Sequence, residues 1–161
     1  MRIELFLIRH AAALPATEGQ SDAERPLSER GRRRFERCVQ GLVERGVSFD
    51  RILHSPLLRA VETAELCAPL LDGKTAVCAG LTGSPSEHLL TQLALHEDER
   101  VAVIGHEPWL GELCALCLTG TVERGGAFAF KKGGLAWLVG RPAMGACKLR
   151  GFFAPRDLRR R

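Results

Sequence analysis

Two histidines and two arginines occupy positions in this sequence where side chains could do chemistry. Arg9 and His10 end one apolar run, His106 ends a second, and Arg59 comes four residues after Ser55. Histidine and arginine together suit an oxyanion that must be both held and attacked. A phosphoryl group fits best, because its transfer depends mainly on positioning and on neutralising its oxygens. A neutral imidazole can attack phosphorus, so we expect one of the histidines to be a nucleophile.

The elements that must position these side chains follow from apolar periodicity and turn residues. Strands are predicted over residues 3–8, 51–54, 75–79 and 100–106, and helices over 29–45, 56–71, 85–96 and 108–118. The segments GAFAF, GLAWLVG and CKLRGFF predict two or three further strands. This alternation predicts the α/β class, as a three-layer α/β/α sandwich with a mostly parallel central sheet. Ligands bind beyond the carboxyl ends of such strands, where the four side chains lie.

Composition limits the class of protein. The 161 residues, 45% of them hydrophobic and 26% charged, predict one globular domain over 1–161. No apolar stretch reaches the length of a membrane span and the N-terminus lacks signal-peptide features, so we expect a cytoplasmic monomer with no membrane partner. The net charge of +4 comes mainly from 19 arginines, which indicates an anionic substrate. Nucleic acid is disfavoured because the arginine clusters lack interleaved aromatic residues.

The six cysteines lie mostly among apolar neighbours and are predicted to be reduced core residues. Cys114 and Cys117 have the spacing of a metal or redox site. A zinc site would need a second pair of ligands nearby, and none follows. We therefore predict no metal and no cofactor.

Three segments carry a family resemblance: LIRHA, HSPLLRAVETA and VIGHEPWLGEL. In order and spacing they resemble the signatures of the histidine phosphatase superfamily, which has the phosphoglycerate mutase-like fold. The segments RPLSERG and GHEP are most similar to the SixA-type phosphohistidine phosphatase branch, and the resemblance covers about residues 1–120. It implies that His10 becomes transiently phosphorylated, that Arg9, Arg59 and His106 bind the phosphoryl oxygens, and that water hydrolyses the intermediate.

The sequence departs from the wider superfamily at two points. Ala11 follows the nucleophile where glycine is usual, and the acid that protonates an alkoxide leaving group has no clear match. Glu87 is the nearest candidate by position, and Asp22 and Glu24, in the loop after the first strand, are the others. Imidazole leaves readily without a proton donor, whereas an alkoxide does not. The weak acid position therefore favours a phosphohistidine substrate.

Other residues are assigned secondary roles. His54 and Arg25 are candidate substrate contacts, although Arg25 could instead pair with Asp22 or Glu24. Ser55 is predicted to cap a helix rather than to bind phosphate, and His88 and His96 are predicted to lie on helix surfaces. The expected partner is a phosphorylated protein. A phosphomonoesterase for a small phosphorylated metabolite and a non-catalytic phosphate-binding adaptor remain the alternatives.

Overall fold

A six-stranded mixed sheet forms the centre of the computed structural model, which describes residues 2–95 and 97–160. The strands are β1 (Ile3–Arg9), β2 (Phe49–His54), β3 (Leu71–Val77), β4 (Arg100–Gly105), β5 (Leu135–Gly140) and β6 (Cys147–Phe153), in the spatial order β3-β2-β4-β1-β5-β6. Strands β1 to β4 are parallel, β5 is antiparallel to β1, and β6 is antiparallel to β5. The predicted mostly parallel sheet is confirmed.

Helices cover both faces of this sheet. They are α1 (Glu29–Glu44), α2 (Leu58–Leu66), α3 (Glu87–Ala94), α4 (Trp109–Thr119) and α5 (Pro155–Leu158). Alternate residues of β1 point to opposite faces: Leu5 and Leu7 pack in the core under α3 and α4, whereas Phe6 and Ile8 pack in the core under α1, α2 and α5. The sandwich therefore has the three layers that the sequence predicted. Within the described ranges, no helix combines the length and the hydrophobicity needed to cross a membrane.

Helix α1 forms as its sequence indicates. The Ser28 side chain accepts a hydrogen bond from the Gly31 amide at 2.9 Å (an N-cap), and buried apolar residues then recur along one face. The chain leaves the helix through Gly46, whose φ of 73° suits glycine. Gly31 is needed for packing as well, because a Cβ there would clash with the carbonyl oxygen of Ala12. Helix α1 is thereby seated directly on the segment that follows His10.

Two predicted helices are wrong in extent, and two of the three segments predicted to supply two or three closing strands form strands. Helix α2 ends at Leu66 because Pro69 has no amide proton to continue it, and residues 71–73 begin β3 instead. The segment GAFAF is not a strand: a 3₁₀ helix covers Val122–Ala127, where Gly125 packs closely against Glu112 of α4. The helix predicted over 85–96 is shorter in the structure, where α3 is capped by Ser86 and covers Glu87–Ala94. His96 lies outside the described residues. The short helix α5 had no counterpart in the sequence prediction.

Candidate active site

Strands β1 and β4 end side by side and bring two histidines together. Arg9 is level with Gly105 in the parallel register, so the next residues, His10 and His106, emerge at the same edge of the sheet. The His10 amide donates to the Gly105 carbonyl at 3.1 Å, and the centroids of the two imidazole rings lie 5.0 Å apart. Both rings are buried. The sheet register thus confirms the expected meeting of two strand ends.

The His10 ring is held in one tautomer. Its Nδ1 lies 2.7 Å from the carbonyl oxygen of Ala11, and because a carbonyl only accepts, Nδ1 must carry the proton. In the neutral ring Nε2 then keeps its lone pair. Burial lowers the pKa of His10 to about 3, with the charges of His106, Arg59 and Arg9 acting in the same direction against the hydrogen bond to Ala11. His10 is therefore neutral near pH 7, with an unprotonated ring nitrogen.

His106 is held by the start of the α2 segment. Its Nε2 hydrogen-bonds with the hydroxyl of Ser55, which is fully buried and also accepts the amide of Leu57 at 3.2 Å. Burial and the charge of Arg59 lower the pKa of His106 to about 4, and the charge of Asp22 acts in the opposite direction. The predicted helix cap at Ser55 is therefore wrong: α2 begins at Leu58 with Leu57 as its N-cap residue, and the Ser55 hydroxyl instead holds the turn before the helix and positions His106.

Arg59 lies in the first turn of α2 and is bound to the loop after β1. Its guanidinium donates to the Asp22 backbone carbonyl at 2.9 Å and to the Asp22 carboxylate at 3.0 Å. The other carboxylate oxygen accepts from Arg25 at 2.9 Å, and Arg25 also donates to the carbonyl of Leu14 at 2.8 Å. The hydrogen bonds from Arg25 and Arg59 lower the pKa of Asp22. Asp22 therefore stays ionised between two arginines.

Arg9, the last residue of β1, is anchored by the segment that precedes β5. It donates to the carbonyl of Phe130 at 2.7 Å, and burial lowers its pKa against the attraction of Glu107. Over residues 2–95 and 97–160, the buried Arg9 Nε and His106 Nδ1 have no hydrogen-bond partner. Buried polar atoms without partners are uncommon and are typical of functional sites. Arg9, His10, Arg59 and His106 thus form one cluster of two guanidinium and two imidazole groups, in which Arg9 is half-buried and the other three residues are buried.

The sequence prediction gave no role to Thr63, which connects two parts of this cluster. The fully buried hydroxyl accepts the Ala11 amide at 3.1 Å and donates to the Arg59 carbonyl at 2.6 Å. The Ala11 carbonyl accepts a hydrogen bond from His10 Nδ1, so Thr63 supports the residue that orients the ring. Thr63 could have been found from its spacing, because it lies four residues after Arg59 and residues four apart share a helix face.

Glu107 was missed as well. Its carboxylate accepts the Gly111 amide at 2.8 Å in the first turn of α4. Burial raises the pKa of Glu107, whereas the Gly111 amide and the Arg9 charge lower it. Its position directly after His106, at the end of a strand, could have identified Glu107 as a site residue. Glu107 thereby links the start of α4 to Arg9.

Three of the secondary candidates lie apart from the cluster. The ring of His54 faces a separate cleft between α2 and β3, beside Val61 and Thr75, and its Nδ1 donates to the Ser55 carbonyl at 2.8 Å. The Glu24 carboxylate accepts the amide and hydroxyl of Ser21, which lowers its pKa. Glu87 is an exposed residue at the start of α3. Asp22 and Arg25 are thus the secondary candidates that the structure joins to Arg59.

The cysteines with metal-site spacing pack in the core. Cys114 and Cys117 are both buried thiols, and burial raises the pKa of Cys114 to about 12. Among the residues that the structure describes, no three or more histidine, cysteine or acidic side chains are arranged to hold a metal ion. The cluster's own donors are guanidinium and imidazole groups, which bind an oxyanion.

Comparisons with known proteins agree with this geometry. Residues 5–82 match the model of the histidine phosphatase superfamily (branch 1). An uncharacterized protein of Picosynechococcus sp. is 35% identical over 141 residues, which cover 84% of each chain. The mitochondrial serine/threonine-protein phosphatase PGAM5 of Mus musculus is 34% identical over 85 residues, 52% of this chain but only 29% of PGAM5. The structure of the protein histidine phosphatase SixA complexed with tungstate superposes with a TM-score of 0.80, at 26% identity, over 98% of this chain and 100% of SixA.

Proposed function

The chain belongs to the histidine phosphatase superfamily and is a phosphatase, and we propose that its substrate is a phosphohistidine in a protein. In this proposal His10 is the nucleophile, and Arg9, Arg59 and His106 hold the phosphoryl oxygens. The similarity to SixA, which is described as a protein histidine phosphatase, supports this substrate class. The stronger support comes from the carboxylates around the site.

The observation that carries the proposal is the state of Asp22. It is the one candidate acid from the sequence that contacts Arg59, and two guanidiniums lower its pKa. A carboxylate held ionised in this way cannot readily protonate a leaving group. An alkoxide needs such a proton, whereas an imidazole already protonated at its second ring nitrogen leaves as a neutral molecule. The site therefore suits a phosphorus–nitrogen bond better than a phosphate ester.

In the first step, the Nε2 lone pair of His10 attacks phosphorus in line with the substrate's phosphorus–nitrogen bond. The new bond joins Nε2 to phosphorus, and the substrate imidazole departs with the electron pair of the broken bond. Nδ1 of His10 keeps its proton throughout and donates it in a hydrogen bond to the Ala11 carbonyl, which stabilises the positive ring that forms. The low pKa of His10 keeps the attacking nitrogen free at neutral pH.

In the second step, water attacks phosphorus and the bond to His10 Nε2 breaks, which releases phosphate and restores the neutral ring. Arg9 and Arg59 neutralise the charge on the phosphoryl oxygens through both steps. A bound phosphoryl anion also raises the pKa of His106, which favours its cationic, hydrogen-bond-donating form. These residues need only position and neutralise, because the transition state is largely dissociative.

A phosphoester substrate is the second candidate, favoured by Glu107 and by the similarity to a serine/threonine-protein phosphatase. Burial raises the pKa of Glu107, as an acid for an ester leaving group requires. Its carboxylate is bound to the Gly111 amide, which holds it in the first turn of α4. If this alternative is right, Glu107→Gln will abolish hydrolysis of a phosphoserine peptide and spare p-nitrophenyl phosphate.

The test compares a phosphohistidine peptide, a phosphoserine peptide of the same sequence and p-nitrophenyl phosphate. We expect kcat/KM to be highest for phosphohistidine, and His10→Ala to lose all three activities. The exposed histidine variant His88→Ala is the matched control and should keep them. After rapid mixing with a phosphodonor, the wild type should carry an acid-labile, base-stable phosphoryl label. The absence of this label from His10→Ala would identify phosphorylated His10 as the intermediate. A higher kcat/KM for phosphoserine than for phosphohistidine would overturn the proposed substrate.

A further inference from the structure

A second cleft, of about 340 Å³, lies next to the catalytic segment on the α1 side of the sheet. Its walls are the first half of α1, the turn before β5 and the segment that contains α5. The floor is apolar and includes Ala11, Phe35, Cys38 and Pro155. The proposed mechanism uses none of the side chains of this cleft.

Five cations surround the apolar floor: Arg34, Lys131, Lys132, Arg156 and Arg159. The described lining contains no carboxylate. The charges of Arg159 and Arg34 act on the Cys38 thiol in the floor, where they oppose the burial that raises its pKa. The cleft is thus an apolar trough with a positive rim.

The basic surface continues beyond the rim. Arg34 also belongs to an exposed group on α1 that includes Arg30, Arg33 and Arg37. Of these, Arg33 pairs with Glu29 at 3.1 Å, and both of those side chains are largely exposed. Positive charge spread over this length exceeds what a single phosphate would neutralise. It complements several acidic side chains in series.

The cleft opens at the same edge of the sheet as the catalytic histidines. Leu135 pairs with Ile8 on one side and with Phe153 on the other, so the turn before β5 and the chain after β6 both lie where β1 ends. The Gly133 amide in that turn donates to the carbonyls of Arg9 and His10, at 3.0 and 3.1 Å. Ala11, which lines the cleft, directly follows His10, so the cleft and the nucleophile lie on adjacent residues of one backbone segment.

We propose that this cleft docks an acidic segment, with interspersed apolar side chains, of the protein that carries the phosphohistidine. The proposal rests on the proposed function, because it names the partner of the same site. The acidic side chains pair with the rim and the apolar ones pack on the floor, while the phosphohistidine enters at His10. Two contacts on one substrate protein raise the effective concentration of the phosphorylated residue at the site.

The binding test uses fluorescently labelled, unphosphorylated peptides, one of alternating Glu and Leu and one with every Glu replaced by Gln. The full chain should bind the acidic peptide, and the double variant Arg34→Gln/Lys132→Gln should bind it about fivefold more weakly, as expected for two partly exposed charge pairs. The control Lys74→Gln/Lys148→Gln removes two exposed cations on β3 and on the far end of β6, and should bind like the wild type. Equal binding of the two peptides by the wild type would overturn the docking site.

The kinetic test flanks one phosphohistidine with the same two sequences. The acidic flank should raise kcat/KM about fivefold in the wild type and not in Arg34→Gln/Lys132→Gln, while the phosphoramidate rate of that variant stays unchanged. Equal rates for the two flanks would refute docking but leave the proposed function standing. Hydrolysis of neither peptide would refute the proposed function, and the binding test would still decide on the cleft.

Discussion

Replacement of Thr63 by Val tests the support beneath the nucleophile. The two side chains have nearly the same shape, so the change removes a hydroxyl from a fully buried position without creating a cavity. The Ala11 amide, which donates to this hydroxyl at 3.1 Å, is then left buried without a partner. The Arg59 carbonyl loses a 2.6 Å hydrogen bond from the same group.

The expected loss of unfolding free energy follows from the orphaned amide. A buried donor without a partner costs about 1–3 kcal/mol. For a chain of this length that corresponds to a fall in Tm of about 2–12 °C. Because the Ala11 carbonyl orients the His10 ring, a small displacement of Ala11 should also lower kcat by about tenfold.

Urea unfolding and phosphatase kinetics on three variants check this reasoning. Thr63→Ser keeps the hydroxyl and should retain most of the kcat. Thr91→Val is the matched control: its hydroxyl donates to the Glu87 carbonyl at 3.0 Å in the same i to i−4 arrangement, but on an exposed helix face. It should change the unfolding free energy by less than about 0.5 kcal/mol. A Thr63→Val protein with wild-type stability and kcat would refute the role assigned to this hydroxyl.

Three other properties can be measured directly. Gly31→Ala should destabilise the fold by about 1–3 kcal/mol in urea unfolding, because the new Cβ meets the Ala12 carbonyl. Gly126→Ala, where a Cβ would have open space, should not destabilise it. A stabilised Gly31→Ala protein would contradict this packing. The folded-state pKa of His10, about 3, lies below its unfolded value of 6.5, so its contribution to stability is present above pH 6.5 and is lost as the pH falls towards 3. His10→Asn should flatten the fall in unfolding free energy across that window, and exposed His88→Asn should not; identical slopes would argue against a neutral buried ring. Treatment with EDTA should leave kcat unchanged, and a loss that zinc restores would indicate a metal site.

The sheet and the pair of histidines could be predicted because local rules govern them. Short apolar runs predict buried strands, and the carboxyl ends of parallel strands lie at one edge of the sheet. Two of the runs in this sequence end in a histidine. The register of β1 against β4 therefore places His10 beside His106, as the sequence indicated. The start of α1 is equally local, since the Ser28 hydroxyl and the Gly31 amide that it caps are three residues apart.

The bonds around Arg59 could not be predicted in this way. Its partner Asp22 is 37 residues away, in a loop without periodicity, and the sequence offered Asp22 only as one of three acids. The sequence likewise left open whether Arg25 contacts substrate or pairs with Asp22 or Glu24, and only the folded loop shows the pair with Asp22. The conformation of a loop depends on the surfaces that it contacts in the folded protein, and the spacing of apolar residues does not predict those contacts.

The sequence by itself determined the fold class and which four side chains share the edge of the sheet, because strand periodicity and strand ends are properties of neighbouring residues. The tertiary structure alone decided how those side chains are held and charged. The tautomer of His10, the ionised state of Asp22 and the support from Thr63 all depend on burial and on partners from other elements. The basic cleft has the same origin, because its walls come from segments that begin at Ala11 and end at Arg159. Only folding brings those segments within contact distance.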